Sequence, residues 1–259
     1  MPAVLLAEVV AVRPLSPHAV AVTFDGPELS RLAYSGADQR IKLLFARDGR
    51  RAPVLPAADD WYGSYQAMPA EVRPVMRTYT VRSQDPRSGR VDVEFILHGD
   101  TGPASAWASA ARPGDLLGII AATAEDDGAQ ARPYAPGDAD WQLLVGDATA
   151  LPAIASILEQ LDADACARVF VQVPSPQDIR ELATPAADVR ITWLTGVAPA
   201  EAVRDAELPT GRPYAWVAGE TAMVRALRRH LVGERGLDAR AHYFGGYWRA
   251  GVAEDARAE

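Results

Sequence analysis

Arg77-Thr78-Tyr79-Thr80-Val81-Arg82 is the stretch on which the reading of this chain turns. It lies inside Val75 to Ser83, whose alternation is that of a β-strand. Arg77, Tyr79 and Val81 then share one face, and Thr78, Thr80 and Arg82 the other. Soon after comes His98-Gly99-Asp100-Thr101-Gly102-Pro103-Ala104-Ser105-Ala106-Trp107, a loop opening into a helix. An aromatic ring with flanking hydroxyls and a guanidinium, followed by a glycine- and serine-containing helix start, suits a flavin with a pyrophosphate tail. The first turn of a helix offers N–H groups and the positive end of its dipole to phosphates. Arg77 can add a charge-assisted bond.

The surrounding sequence supplies a frame. Val4 to Pro14, Ala19 to Phe24, Ile41 to Ala46, Val91 to Leu97 and Asp115 to Ala121 are short apolar runs broken by Pro, Gly, Asp or Ser. With Val75 to Ser83 they predict a six-stranded antiparallel β-barrel over residues 1–122. Asp85-Pro86-Arg87-Ser88-Gly89 predicts a hairpin turn. Gly49 to Glu71 is a long insertion containing Trp61, Tyr62 and Tyr65, of a length that usually serves function. Residues 123–140 are polar and read as a linker.

From 141 to 259 the texture changes to strands alternating with helices. Trp141 to Val145, Val169 to Val173, Asp188 to Leu194, Ala215 to Ala218 and Ala239 to Phe244 read as strands. Ala150 to Leu161 and Glu220 to Leu231 read as helices. That alternation predicts an α/β domain with a parallel sheet, whose nucleotide site is the crevice at the strand ends.

A net charge of −8 argues against nucleic acid as the main partner. Lys42 is the only lysine, so positive charge rests on arginine. The single cysteine, Cys166, excludes an intramolecular disulfide and a cysteine-ligated iron–sulfur cluster, and it reads as a packing residue. Four dispersed histidines, His18, His98, His230 and His242, show no metal-ligand spacing. No signal-peptide pattern and no membrane-span window is visible. The expectation is a cytoplasmic monomer that takes a small-molecule substrate and touches neither membrane nor nucleic acid.

Four motifs occur in one order: Arg77 to Arg82, His98 to Trp107, Gly146-Asp-Ala-Thr-Ala-Leu-Pro-Ala-Ile154 and Gly246-Tyr-Trp-Arg-Ala-Gly251. Together, from about Val9 to Gly251, they resemble the siderophore-interacting protein family of FAD-dependent ferric-siderophore reductases. The resemblance implies a ferredoxin-reductase-like arrangement in which NADH or NADPH donates electrons through FAD to an Fe(III)–siderophore. It implies that Tyr79 packs on the isoalloxazine ring and Thr80 bonds its edge. Arg77, Thr78, Arg82, His98 and the loop Gly99, Thr101, Gly102, Pro103, Ala104 and Ser105 would complete the FAD site. Asp147, Thr149, Gly219 and Glu220 would meet the nicotinamide nucleotide.

No Gly-x-Gly-x-x-Gly is present, so the turn at Gly146 departs from the usual dinucleotide pattern. Asp147 or Thr149 is equally suited to cap a helix, and Trp107 suits the core better than a cofactor. An anionic chelate would need local cations. Lys42 and Arg249, with Trp248 beside the latter, are the substrate candidates, and Arg47, Arg50, Arg51 and Arg73 are further cations. Two other activities stay open at this stage: a general flavin reductase or electron donor to a partner protein, and a siderophore carrier without redox use.

Overall fold

Seven runs rich in Val, Leu, Ile and Phe join into one antiparallel sheet in the computed structural model, which describes residues 2–34, 36–47, 50–85, 87–98, 102–123 and 134–252. They are β1 (Ala3–Ser16), β2 (Ala19–Asp25), β3 (Arg40–Phe45), β4 (Val75–Thr80), β5 (Ser83–Gln84), β6 (Val91–Ile96) and β7 (Leu116–Ala121). Their order in the sheet is β4-β3-β7-β1-β2-β6-β5. The inward residues Val9, Val22, Phe24, Leu43, Val93, Phe95, Leu117 and Ile119 are buried together in one core.

The expected single strand Val75 to Ser83 is two strands, which makes seven where six were expected. The break has a physical cause. Val81 N–H donates to Gln39 O at 2.8 Å, beside β3, whereas Arg82 N–H donates to Asp92 O at 2.9 Å, in β6. The chain therefore leaves one edge of the sheet and joins the other within two residues, and this step ties the edges together. Thr80 and Val81 are both buried at the corner, so the in-and-out alternation stops there. The predicted hairpin forms: Asp85 N–H bonds Arg90 O, and Gly89 holds φ +74° where its backbone lies against Ser30.

The insertion is not structureless. Helix α1 (Trp61–Ala67) starts at Asp60, whose Oδ1 accepts from Gly63 N–H at 3.0 Å. Arg73 closes the far end through Nε and Nη2 to Met68 O, and Tyr65 Oη donates to Pro74 O. Arg47 Nε donates to Arg73 O at 2.6 Å. Two of the candidate substrate cations, Arg47 and Arg73, thus hold this loop's backbone. Helix α2 (Pro103–Ala110) follows β6, and its Trp107 ring packs on Phe24, Phe45 and Phe95 as a core residue.

The chain divides into two compact units, the second beginning at Pro133. Its five strands are β8 (Trp141–Asp147), β9 (Cys166–Gln172), β10 (Asp188–Leu194), β11 (Pro213–Glu220) and β12 (Tyr243–Trp248). All pair in parallel in the order β10-β9-β8-β11-β12. The central strands β8 and β11 are buried along nearly their whole length, as strands covered on both faces must be. Helices α3 (Leu151–Glu159), α4 (Pro199–Asp205) and α5 (Thr221–Arg228) connect them. Described residues of the expected linker already bond within this unit: Ala135 N–H donates to Tyr214 Oη and Asp140 N–H to Arg212 O.

Two expectations shift here. The helix expected to run to Leu231 ends as α5 at Arg228 and continues as a wider turn, Arg229–Glu234. That turn places the buried His230 between Glu234, 2.7 Å from Nδ1, and Arg235, whose Nε donates to Nε2 at 3.0 Å. The last strand lies further along than Ala239 to Phe244, at Tyr243–Trp248, so the C-terminal aromatic segment is part of the sheet. Cys166 opens β9 against the core, and burial pushes its thiol pKa up, which suits packing rather than reactivity.

Candidate functional site

In the first unit, β4 lies beside β3 with Tyr79 opposite Ile41, Arg77 opposite Leu43 and Thr78 opposite Lys42. Ile41 and Leu43 belong to the core, so Arg77 and Tyr79 are on the core-facing side of the sheet and Thr78 and Lys42 on the outer side. The Tyr79 ring packs on Phe95 with centroids 4.5 Å apart and stays half-buried. Arg77 Nη1 donates to Met76 O at 2.8 Å, which directs its guanidinium along the strand. Outside, Lys42 Nζ donates to the exposed Thr78 Oγ1 at 3.1 Å. Thr80 is buried at the corner. Arg82 is engaged elsewhere: its Nε lies 3.2 Å from Oε1 of the buried Glu94.

The loop after β6 returns to the same core. Gly99, Asp100 and Thr101 lie outside the described residues. Gly102 is the N-cap of α2, extended at φ −125°, ψ 138°, and carries no side chain to satisfy the helix start. The His98 imidazole lies against it, since a Cβ at Gly102 would come within 2.9 Å of His98 Cε1. Pro103 takes the first helical position, where its missing N–H costs nothing. Ala104 and Ser105 are buried, and Ser105 Oγ accepts from His98 N–H at 3.0 Å, tying loop to helix. A half-buried tyrosine, a neighbouring guanidinium and a helix start with glycine as its N-cap fit an aromatic ring system with a pyrophosphate tail.

In the second unit, β8, the first strand in chain order, lies beside β11, the fourth, and this is the sheet's topological switch point. The two expected nucleotide motifs meet there. Asp147, at the end of β8, is 8% exposed and accepts four hydrogen bonds. Its Oδ1 takes Thr149 N–H at 2.8 Å and Thr149 Oγ1 at 2.5 Å. Its Oδ2 takes Glu220 N–H at 2.7 Å and the Trp248 indole Nε1–H at 2.8 Å. One carboxylate thus joins the ends of β8, β11 and β12. Gly219 makes this possible: it holds φ +136°, and a Cβ there would lie 2.6 Å from Asp147 Oδ2.

Glu220 caps α5, accepting from Ala222 and Met223 N–H through Oε2 and from Ala250 N–H through Oε1. Burial alone would raise its pKa, but those N–H groups and the Arg249 charge outweigh it and hold the carboxyl below its ordinary value. A depressed folded-state pKa stabilises above the unfolded value, and that stability is lost as pH falls through the folded one. Acid unfolding of the second unit, followed by circular dichroism from neutral pH downward, is therefore expected to be less pH-dependent in Glu220→Gln. Superimposable acid limbs would show that the cap contributes nothing to it.

Trp248 is held twice, since its carbonyl also accepts from Thr221 Oγ1 at 2.8 Å, yet the residue is 41% exposed. Arg249 follows, exposed, in a short bridge with Val252. The structure so brings together Asp147, Thr149, Gly219, Glu220, Trp248 and Arg249 in the second unit; in the first it pairs Arg77 with Tyr79 on the core-facing side of the sheet and leaves Lys42 with Thr78 on the opposite side. Phe95 and Thr221 were missed as supports. Nothing in a single sequence marks which phenylalanine backs a tyrosine or which threonine holds a carbonyl.

Comparison with known proteins gives consistent matches. Residues 8–126 match the family described as siderophore-interacting FAD-binding domain, and residues 139–251 the one described as siderophore-interacting protein. Ferric vibriobactin reductase ViuB of Vibrio cholerae is 31% identical over 250 residues, which cover 93% of this chain and 88% of the relative. The crystal structure of the siderophore-interacting protein SipS from Aeromonas hydrophila superposes with a TM-score of 0.79 at 34% identity, covering 98% of this chain and 95% of that one. A siderophore utilization protein from T. fusca gives 0.82 at 34% identity, covering 97% and 95%. Ferredoxin reductases share the fold at much lower identity.

Proposed function

The chain belongs to the siderophore-interacting protein family, and on that premise we propose that it is an FAD-dependent reductase of ferric siderophores supplied with electrons by NADH or NADPH. The observation that carries the reading is the core-facing pair Arg77 and Tyr79, in a sheet that shares its core with α2, whose N-cap is Gly102.

FAD, when bound, links a two-electron donor to a one-electron acceptor. The protein's own residues do the rest. Arg77 and the first turn of α2 bind the phosphates, and the Tyr79 ring, backed by Phe95, fixes the plane of the ring system. Thr80 and the loop after His98 complete the FAD site on this reading, Gly99 and Thr101 lying outside the described residues. The second unit receives the nicotinamide ring near Gly219 and Glu220. Lys42 in the first unit and Arg249 in the second are each a candidate cation for an anionic chelate, on a chain whose net charge is −8. The iron belongs to the substrate. Fe(II) is a weaker partner than Fe(III) for hard oxygen donors, so reduction releases it.

The purified protein is expected to be yellow, with about one FAD per chain. Anaerobic NADH or NADPH should bleach it, a ferric siderophore should restore the colour, and ferrozine should trap the Fe(II) formed. A protein that takes up no FAD would sink the reading. One that binds the chelate and yields no Fe(II) with any donor would be a carrier instead.

A further inference from the structure

A dinucleotide needs its phosphates held, and in open parallel sheets the usual holder is a helix N-terminus at the switch point. Two helix starts meet at the switch point here, and each is filled by a carboxylate of this chain. At the first, Asp147 takes the Thr149 N–H that would otherwise meet a phosphate, and it also takes the Glu220 N–H from the neighbouring strand. Behind it Ala150, Leu151 and Pro152 are buried, and Pro152 has no N–H to offer. At the second, Glu220 takes the N–H groups of Ala222 and Met223. The backbone at Gly219 is pressed so close to Asp147 Oδ2 that not even a methyl group fits between them. Helix α2 of the first unit is the contrast, with a glycine where these two have acids.

We infer that Asp147 and Glu220 are specificity-determining residues that keep the pyrophosphate of a nicotinamide nucleotide out of the switch-point crevice. Any phosphate placed there would face two carboxylates and would have to displace them from the N–H groups they cap. The inference rests on the reading of NAD(P)H as donor and adds which part of the nucleotide the crevice refuses. The Gly-x-Gly-x-x-Gly turn is absent from this chain, and the carboxylates explain why nothing here needs it.

The test is a calorimetric titration of the whole protein with ADP-ribose, which carries the pyrophosphate without the pyridine ring. Asp147→Ser keeps an oxygen for Thr149 N–H, removes the charge and releases Glu220 N–H. ADP-ribose is expected to bind it roughly tenfold or more tighter than wild type. If thermal melting shows that this variant does not fold, Glu220→Gln serves, because its amide oxygen can still cap α5. The expected gain there is about threefold, from loss of the charge alone. Equal or weaker ADP-ribose binding in the folded variant overturns the inference. Failure of NADH and NADPH to bleach the wild-type flavin is a separate result. It would sink the donor reading and leave the titration interpretable.

Discussion

Arg77→Ala is expected to weaken FAD binding roughly ten- to a hundredfold, the loss of one charge-assisted phosphate bond. The guanidinium sits opposite Leu43 on the core-facing side of β4, and its bond to Met76 O keeps it along the strand. A fluorescence titration of the apoprotein with FAD measures the effect. Arg77→Lys should recover only part, because an ammonium lacks the planar fork that matches a phosphate. An unchanged Kd in Arg77→Ala would show that the phosphates are held elsewhere.

Phe95→Ala is expected to cost the first unit about 3–5 kcal/mol, the range for removing a buried aromatic. The ring is fully buried, with Tyr79, Trp107 and Phe45 centroids at 4.5, 5.7 and 6.5 Å. FAD affinity should fall as well, because Tyr79 loses the surface that fixes its plane. Phe95→Leu fills more of the space and should lie between. Thermal melting followed by barrel-sensitive near-ultraviolet circular dichroism reads the first effect, and the FAD titration the second. A melt that does not move would mean the three remaining rings repack without loss.

The parts of the fold that were legible in the sequence are those whose burial is either periodic or continuous along a strand. Asp188–Leu194 has the bounds expected of it, and Trp141 and Leu143 to Val145 announce a strand because both faces of the parallel sheet are covered. The break at Val81-Arg82 was not legible. Alternation continues straight through it in the sequence, while the partner changes from β3 to β6 in space. Helix α1 escaped notice because none of its residues is buried, so it has no apolar face to read. The last strand, expected at Ala239 to Phe244, runs instead through Gly245-Gly246 to Trp248. In the sheet those glycines pair with Ala218 and Gly219.

The candidate sites divide in the same way. Arg77 and Tyr79 could be picked out because a charged and an aromatic residue alternate on one strand. Asp147 was singled out as a candidate, and its cap on Thr149 N–H was expected, but its bonds to Glu220 and Trp248 were not. Those partners are 73 and 101 residues away, and separations of that length leave no trace in local sequence.

The position of β7 in the first unit has a consequence for synthesis. It pairs with β1 from Ala3↔Ala121 to Glu8↔Leu116 and with β3 from Lys42↔Ile120 to Leu44↔Gly118, so it is the wedge between them. A ribosome delivers β1 and β3 well before Leu116–Ala121 emerges, and at typical elongation rates the wait is on the order of several seconds. During that interval both strands present bare edges carrying Leu5, Ala7 and Leu43, the kind of edge that recruits other nascent chains. Soluble yield of this protein should therefore depend on how well those edges are shielded until residue 121 is out, and a fragment that stops short of β7 should aggregate rather than fold.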